Sequence, residues 1–339
     1  MINRTCQDLA DKLNALNLYF YSVTPRENDF NLTYYIDFRE NITFSKVKAR
    51  EKDLAIFFDS EIELSNYNGF IVLKVAKSGR TPENTFAYFN ELPNDYILPL
   101  AIGRTEDGSK LFYDLVKCPH LLVGGATGSG KSVFLNNCIM SLIYGKKSAL
   151  CMIDVKKVEL SLYENISPLA APIAYDVKAA KDLLSNLCYT MDNRYKTLKD
   201  NKCRTIEEYI NRGYKMQYIT IIIDEIADLF MQDKRIEPLV IRIAQLGRAA
   251  GMHLIIATQR PDSHIISGLI RANVPSRVCF AVQKSTDSRI IIDTSGGEKL
   301  AGKGDGLFKP IGSRDCIRFQ APYITTEDII NTTEKIKTY

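Results

Sequence analysis

Apolar and polar residues alternate in two different patterns along this chain. From about residue 96 onward, short and nearly continuous apolar runs are separated by stretches with the spacing of amphipathic helices. This alternation is typical of an α/β fold in which helices cover both faces of a mainly parallel sheet. The apolar runs predict strands over residues 119–124, 148–154, 218–224, 252–258 and 277–282. The helical spacing predicts helices between these strands, notably over residues 131–144, 177–198 and 235–250.

The first 95 residues follow a different pattern. They open with an amphipathic helix, and short strand-like runs come after it, separated by polar turns such as "NDFN" and "SNYNG". The runs are "LYFYSV", "TYYIDF", "ITFSKV", "LAIFFD" and "GFIVLKVA". We therefore predict a small α+β domain over residues 1–95, followed by a larger α/β domain over residues 96–339. No cluster of histidine, cysteine or carboxylate side chains interrupts the strands of the first domain, so its sequence suggests no chemistry.

Composition narrows the possible functions. The 339 residues carry 44 basic and 40 acidic side chains, a net charge of +4, so any site for a polyanion has to be local. Eight cysteines without a C-x-x-C pair and three histidines give no zinc pattern, and we expect reduced cysteines in a cytoplasmic protein. The N-terminus lacks the apolar segment of a signal peptide, and no apolar run approaches the roughly 18 residues of a membrane span. We therefore expect no membrane span.

A glycine-rich stretch, "GATGSGKS", lies directly after the first predicted strand of the α/β domain and before its first predicted helix. It matches the phosphate-loop pattern G-x-x-x-x-G-K-S/T in full. Glycines let the backbone approach a triphosphate closely, so that its N–H groups point at the phosphates from a helix N-terminus. The predicted ATP-binding residues are Gly125, Ala126, Thr127, Gly128, Ser129, Gly130, Lys131, Ser132 and Val133. Lys131 would reach the β- and γ-phosphates as a catalytic cation, and the Ser132 hydroxyl would bind Mg²⁺.

Two acidic residues follow the apolar run "YITIII". A carboxylate at the carboxyl end of a buried parallel strand lies near the crevice where ligands bind in open α/β sheets. We predict that Asp224 binds Mg²⁺ together with Ser132, mainly through an ordered water, and that Glu225 is the general base for the attacking water. The alternative is that the pair caps the helix that follows. Asp154 and Gln259 also end strands; Gln259 is a candidate catalytic sensor of the γ-phosphate, and either is otherwise an ordinary strand-terminal residue.

Several stretches together resemble the FtsK/SpoIIIE family of DNA translocases. They are "PHLLVGGATGSGKS", "MIDVKKVELSLYE", "MDNRYKTLKDNKCRTIEEY", "IIIDEIADL", "GRAAGMHLIIATQRPDSHIISGLIRANVPSRVCFAVQKSTDSRIIID" and "GGEKLAGKGDGLF". They cover roughly residues 98–325 with few gaps, and nucleotide-binding proteins in general share only the first and the fourth. The resemblance implies a RecA-like P-loop motor, usually a hexameric ring, that threads double-stranded DNA through a central channel while hydrolysing ATP between subunits.

The resemblance also implies roles for four arginines. Arg248 of "GRAAG" is similar to an arginine finger that reaches the γ-phosphate held by a neighbouring subunit; the alternative is a surface arginine at a helix C-terminus. The resemblance places Arg260, Arg271 and Arg289 on loops that face the channel, as contacts to DNA phosphates without base readout. Each is alternatively a solvated surface charge. A few arginines from every subunit around the duplex would reconcile DNA binding with the modest net charge.

Residues 1–95 take the position of the family's accessory α domain, and we expect neither a C-terminal winged-helix module nor the N-terminal membrane segment of larger members.

Two other functions fit the same motifs. An ATPase that moves or recruits protein, as secretion-system motors do, would carry the same phosphate loop and Asp–Glu pair. A conjugative coupling protein that recruits a relaxase–DNA complex would share the fold. A short motor of this kind resembles those of plasmids, phages or integrative elements, so a relaxase or another mobile-element protein is a candidate partner.

Overall fold

The structure, a computed structural model, describes residues 5–27, 31–60, 62–76 and 82–337. Its backbone contacts divide the chain into two compact units. The first consists of Met1–Thr81 with Glu106–Ser109, and the second of Pro82–Thr105 with Lys110–Tyr339. The domain boundary near residue 95 stays a prediction. Across the described residues, none of the helices combines the length and the apolar character that crossing a bilayer requires.

The first unit contains a four-stranded antiparallel sheet in the order β1-β2-β4-β3. Its described strands are β1 (Phe20–Glu27), β2 (Asn31–Phe38), β3 (Ile62–Tyr67) and β4 (Phe70–Ala76). Its described helices are α1 (Cys6–Ala15), α2 (Phe44–Lys48) and α3 (Glu51–Phe58). Alternate residues such as Tyr34 and Ile36 of β2 join Leu9 and Leu13 of α1 in one apolar core, as the alternation in the sequence predicts.

Two runs that the sequence suggests are strands are helices in the structure. "ITFSKV" contains α2, which begins after Thr43 because the Thr43 hydroxyl accepts a hydrogen bond from the backbone N–H of Lys46. "LAIFFD" lies in α3, where Leu54 and Phe58 are buried while Ile56 between them is 78% exposed. A strand would place all three side chains on one face, so their burial has the helical period. The interpretation of these two runs as strands was therefore wrong.

The second unit is an α/β structure built on nine described strands in the order β6-β5-β13-β12-β11-β7-β10-β9-β8. Their bounds are β5 (Pro99–Thr105), β6 (Lys110–Asp114), β7 (His120–Gly124), β8 (Ser148–Ile153), β9 (Tyr218–Ile223), β10 (Met252–Thr258), β11 (Ser276–Phe280), β12 (Asp305–Lys309) and β13 (Ile317–Gln320). The five strands from β11 to β8 run parallel, as the apolar runs predict. The other four extend the sheet with antiparallel pairings, so the whole sheet is mixed.

Helices cover both faces of this sheet. Those in the described residues are α4 (Phe86–Phe89), α5 (Lys131–Gly145), α6 (Val177–Asp200), α7 (Ile206–Asn211), α8 (Ile226–Gln232), α9 (Glu237–Leu246), α10 (Gly268–Asn273), α11 (Ser285–Ile292) and α12 (Thr326–Thr333). Short 3₁₀ turns occupy Ser161–Tyr163, Lys234–Ile236, Gly297–Lys299 and Glu334–Ile336. In β9, Ile222 packs into one apolar cluster and its neighbours Ile221 and Ile223 pack into the other. The strand is mostly apolar because both of its faces are buried.

The parallel strands bring the predicted site residues to one edge of the sheet. Thr258, the last residue of β10, pairs with Gly124, the last residue of β7. Ile256 of β10 pairs with Ile223, the last residue of β9. The segments that follow these three strands therefore start side by side, which is where open α/β sheets bind ligands.

Candidate nucleotide-binding site

The phosphate loop, residues 125–132, connects β7 to the N-terminus of α5. Its path is fixed by backbone hydrogen bonds to the two neighbouring strand ends: Gly125 N–H donates to the Thr258 carbonyl at 3.2 Å and Ala126 N–H to the Ala281 carbonyl at 2.9 Å. Gly130 begins the helix without a side-chain cap, so the first N–H groups of α5 are directed at the space beyond the loop. Such a helix N-terminus favours an anion.

Glycine is required at three positions of this loop. Gly128 has φ 77° and Gly130 has φ 105°, both in the left-handed region that L side chains rarely adopt. A Cβ on Gly130 would lie 2.4 Å from the backbone nitrogen of Gly304. A Cβ on Gly125 would lie 2.7 Å from both Phe280 Cβ and Ser129 Oγ. The glycine spacing of the motif therefore follows from backbone angles and from close packing.

Lys131 and Asp224 form a buried ion pair. The Lys131 Nζ atom lies 3.2 Å from Asp224 Oδ1 and 3.3 Å from the Asp224 carbonyl oxygen. Both side chains are 2% exposed. The cation of the phosphate loop and the carboxylate that follows β9, 93 residues apart in the chain, thus meet at the sheet edge.

Glu225 is held by hydrogen bonds to both of its carboxylate oxygens. The Thr258 hydroxyl donates to Oε1 at 2.6 Å, and the backbone N–H of Gln259 donates to Oε2 at 2.8 Å. The Lys156 ammonium lies 3.6 Å from Oε2 and 3.3 Å from the Asp228 carboxylate. Glu225 precedes α8 as its N-cap residue, but its side chain makes no capping hydrogen bond, so the carboxylate does not serve to cap the helix.

Sequence reasoning gave no role to Thr258 or Lys156. Burial by itself would lower the pKa of Lys156, but the carboxylates of Glu225 and Asp228 outweigh it and raise the pKa. Lys156 therefore stays charged beside the candidate base. Its position two residues after a strand-terminal aspartate was a usable signal, because that segment lies at the same sheet edge.

Two further strand-terminal residues have clear partners. The Asp154 carboxylate accepts hydrogen bonds from the backbone N–H groups of residues 157–160, at distances of 3.0–3.1 Å. It thereby holds the segment after β8 in place, an ordinary structural role. The Thr127 hydroxyl of the phosphate loop donates to Gln259 Oε1 at 2.9 Å, so Gln259 lies beside the loop, where a γ-phosphate sensor has to be.

The residues at this edge fit a nucleotide with Mg²⁺. Ser129 Oγ is buried and has no hydrogen-bond partner within the described part of the chain, which leaves a donor available inside the phosphate loop. Ser132 and Val133 are half-buried in the first turn of α5. A hydroxyl and a carboxylate, Ser132 and Asp224, suit Mg²⁺, which takes few protein ligands together with substrate phosphates. Among the described residues no larger group of histidine, cysteine and carboxylate side chains could hold a metal.

Arg248 does not lie at this edge of the sheet. It is exposed on the turn between α9 and β10, before the start of β10, whereas Gln259 follows the end of that strand. The strand is seven residues long, so roughly 20 Å of sheet separates the turn from the phosphate loop. Arg194 Nη1 donates to the Ala250 carbonyl at 2.8 Å, which holds the turn in place. The Arg248 side chain is exposed to solvent.

The three arginines predicted to contact DNA lie on different elements. Arg260 is exposed on the segment after β10, as predicted. Arg271 is on α10 and Arg289 is exposed on α11, so the prediction that these two lie on loops was wrong. The Ser267 hydroxyl accepts a hydrogen bond from the Ile270 N–H and thereby caps the N-terminus of α10, the helix that contains Arg271.

The fold and the site together define a protein with the architecture of P-loop ATPases: a phosphate loop after a central parallel strand, with a carboxylate pair at the end of a neighbouring strand. The model of the FtsK/SpoIIIE family matches residues 93–263, half of the chain. The chain therefore belongs to the FtsK/SpoIIIE family.

Curated relatives and solved structures agree with this membership. The DNA translocase FtsK of Clostridium acetobutylicum is 47% identical over 243 residues, which is 68% of this chain and 32% of that protein. The DNA translocase FtsK of Helicobacter pylori strain 26695 is 43% identical, covering 99% of this chain and 41% of that protein. The chain spans about a third of the length of the first curated relatives it matches.

Two solved structures are similar in fold. The pCW3 conjugation coupling protein TcpA, a monomer form with ATPγS, is 26% identical, with a TM-score of 0.72 over 96% of this chain and 97% of that one. The cytoplasmic domain of the type VII secretion ATPase EccC of Thermomonospora curvata is 22% identical, with a TM-score of 0.63 over 73% of this chain and 32% of that one. The likeness to EccC concerns the fold alone.

Proposed function

We propose that this chain hydrolyses ATP and uses the energy to move double-stranded DNA through a ring of its own copies. The observation that carries the proposal is the buried pair of Lys131 and Asp224, with Glu225 beside it, next to a phosphate loop in which Gly125 and Gly130 leave no room for a side chain. Membership of the FtsK/SpoIIIE family and the relatives named DNA translocase support it.

Each residue of the site has a defined task in this proposal. The N–H groups of the phosphate loop and the first turn of α5 bind the phosphates, and Lys131 moves from Asp224 to the β- and γ-phosphates. Ser132 and Asp224 would hold Mg²⁺, which shares the charge of the phosphates when bound. Glu225 accepts the proton of the attacking water, and Gln259 contacts the γ-phosphate. Lys156 and Thr258 keep the Glu225 carboxylate in position.

The remaining element of the proposed site comes from another subunit. Since Arg248 lies at the opposite end of β10 from its own phosphate loop, it can serve only the loop of a neighbouring copy. A guanidinium at the γ-phosphate stabilises the charge of the transition state. Hydrolysis would then depend on assembly, and a hexameric ring is the assembly we propose.

DNA contact in this proposal is made through phosphates. Arg260, Arg271 and Arg289 carry the charge that would bind the DNA backbone, without base readout. A motor that travels along any sequence requires contacts of this kind. Affinity for duplex DNA should therefore fall steeply as salt is raised.

Displacement of a triplex-forming strand from linear duplex tests the proposal directly. The full chain should release the third strand with ATP, and a Glu225→Gln variant that still binds ATP should not. Release that is equally fast with ATP, without ATP and with the variant would contradict movement. ATP turnover measured with and without duplex is the companion measurement, and a turnover that duplex leaves unchanged at low salt would also count against the proposal.

A second function, a coupling protein in conjugation, is favoured by one observation. The similarity to TcpA, which is named a conjugation coupling protein, extends over nearly the whole of both chains. In that case the chain would also bind a relaxase. Capture of a purified relaxase–DNA complex by the full chain, with the relaxase alone and the DNA alone as controls, separates this function from that of a free-standing motor.

A further inference from the structure

Arg277 of β11 is a buried arginine whose guanidinium contacts the ends of two helices. Its Nη2 donates to the carbonyl of Arg271 at 2.7 Å, near the end of α10, and its Nε donates to the Val274 carbonyl at 3.2 Å just after it. Its Nη1 donates to the carbonyl of Ile291 at 3.3 Å, in the last turn of α11, and lies 2.6 Å from Asp293 Oδ2. The side chain is 8% exposed, so the guanidinium is almost removed from water.

A second cation supports the same helix end. Lys309 of β12 is directly opposite Arg277 in the antiparallel register, and two like charges at such a position normally repel. Here the Asp293 carboxylate lies between them: the Lys309 Nζ atom is 2.9 Å from Asp293 Oδ2 and donates to the Ile292 carbonyl at 3.1 Å. Burial alone would raise the pKa of Asp293, but the hydrogen bonds from Lys309 and Arg277 lower it, so the carboxylate stays charged.

The two helix ends joined by Arg277 are those that carry candidate DNA contacts. Arg271 supplies one of the accepting carbonyls itself. The Arg289 carbonyl accepts the backbone N–H of Asp293 at 3.0 Å, and Asp293 is the residue whose carboxylate contacts Arg277. The other end of α10 is fixed as well, since the Ser267 hydroxyl donates to Glu237 of α9 at 2.8 Å. The guanidinium spreads five N–H donors over a planar fork and so reaches acceptors of both helices at once, whereas an ammonium offers three donors from a single atom.

We propose that Arg277 is a positioning residue for DNA binding: it fixes α10 and α11 relative to each other, so that Arg271 and Arg289 meet backbone phosphates of one duplex together. This inference rests on the proposed function, because it assigns Arg271 and Arg289 to DNA. Arg277 itself does not contact DNA in this arrangement. Arg277 acts by holding the two helices that carry Arg271 and Arg289.

Salt-dependent binding of the full chain to linear duplex, measured with ATPγS, tests the inference. Arg289→Ala should reduce the slope of log affinity against log salt by about one, the loss of one phosphate contact. Arg277→Lys keeps the charge but loses the fork, and it should reduce the slope by about two, as the pair Arg271→Ala with Arg289→Ala does. Arg318→Lys is the matched control, since Arg318 pairs with Asp305 between β12 and β13. It should lose thermal stability to a similar extent and keep its slope.

Combined variants separate positioning from a merely structural effect. Arg277→Lys and Arg289→Ala should be non-additive, because the second change removes a contact that the first has already lost. Arg277→Lys and Arg260→Ala should be additive, because Arg260 lies on another segment. Full additivity in both pairs, or an unchanged slope for Arg277→Lys, would overturn the inference alone. A wild-type chain that binds no duplex at low salt would overturn the proposed function, and this inference with it.

Discussion

The Nζ atom of Lys131 lies 3.2 Å from Oδ1 of Asp224, and water reaches 2% of either side chain. The pair joins the residue that should hold the terminal phosphates to the residue that should hold the metal. In the proposed site, Lys131 would leave Asp224, at least in part, when a nucleotide binds. The negative charge of the phosphates would replace that of the carboxylate as the partner of the ammonium, so binding would exchange one ion pair for another.

Removal of Lys131 should affect stability as well as binding. Lys131→Met leaves the Asp224 carboxylate buried and unpaired, which should cost about 3–5 kcal/mol of unfolding free energy. Lys131→Met combined with Asp224→Asn should recover most of that loss and still fail to bind ATPγS. Urea unfolding gives the first quantity, and the rise of the melting temperature with ATPγS gives the second. A Lys131→Met chain as stable as the wild type would show that the pair contributes nothing to folding.

The hydrogen bond from Thr258 to Glu225 should matter for turnover but little for binding. Thr258→Val removes the hydroxyl that lies 2.6 Å from Glu225 Oε1 and keeps the shape of the side chain, whereas Thr258→Ser keeps the hydroxyl. Partners of this kind typically contribute roughly 10–100-fold to activity. We expect kcat to fall by about that factor in Thr258→Val, with KM for ATP nearly unchanged and activity largely retained in Thr258→Ser. A rise in KM without loss of kcat would assign Thr258 to nucleotide binding instead.

The parts of the structure predictable from the sequence are those set by local chemistry. The phosphate loop was predictable because its glycines serve local backbone angles, such as the φ of 105° at Gly130. The parallel strands were predictable because β9 and its neighbours are buried on both faces and hence mostly apolar. The position of Asp224 and Gln259 at one edge of the sheet was predictable because the ends of such strands share that edge.

The parts that were missed depend on contacts between distant residues. The helix α3 has a run of apolar residues that also suits a strand, and the decisive fact is that Ile56 faces water. The antiparallel strands β12 and β13 are short and half-buried, so their own pattern is weak. The role of Lys156 depends on Glu225, 69 residues away, and that of Arg277 depends in part on Asp293, 16 residues away. Only the folded chain brings these partners close.

Two histidines should make the stability of the fold depend on pH. His120 and His253 are fully buried on adjacent strands, and burial lowers the pKa of His120 to about 3 and that of His253 to about 4. His120 Nδ1 accepts the Leu254 N–H at 3.0 Å, a bond that protonation of Nδ1 would remove. Both pKa values lie below the usual 6.5, so at a pH between 6.5 and these values the unfolded chain binds more protons than the folded chain. The free energy of unfolding therefore falls as the pH falls from about 6.5 toward 4.

The expected slope is at most about 1.4 kcal/mol per pH unit for each histidine. Urea unfolding between pH 7 and pH 5 measures it. Changing both residues to asparagine, which keeps a polar atom near Nδ1, should flatten the dependence. His264→Asn, at an exposed position, is the matched control and should leave the slope as it is. A slope that survives in the double variant would assign the pH dependence to other groups.

A mixture of two inactive variants tests whether the proposed site is shared between subunits. Arg248→Ala retains an intact phosphate loop, and Lys131→Ala retains an intact Arg248, so neither homogeneous assembly has a complete site if the arginine acts from the neighbour. In mixed assemblies, some interfaces combine the loop of the first variant with the Arg248 of the second, and these should hydrolyse ATP. Turnover should therefore rise on mixing, pass through a maximum near equal amounts, and stay at background when Arg248→Ala is mixed with a chain that carries both changes. If Arg248 served its own subunit's loop, both variants would remain inactive at every ratio, because no chain in the mixture has both residues. Capture of one variant through an affinity tag carried only by the other, in the presence of ATPγS and duplex, establishes that mixed assemblies form, so that a lack of turnover then reports on the site.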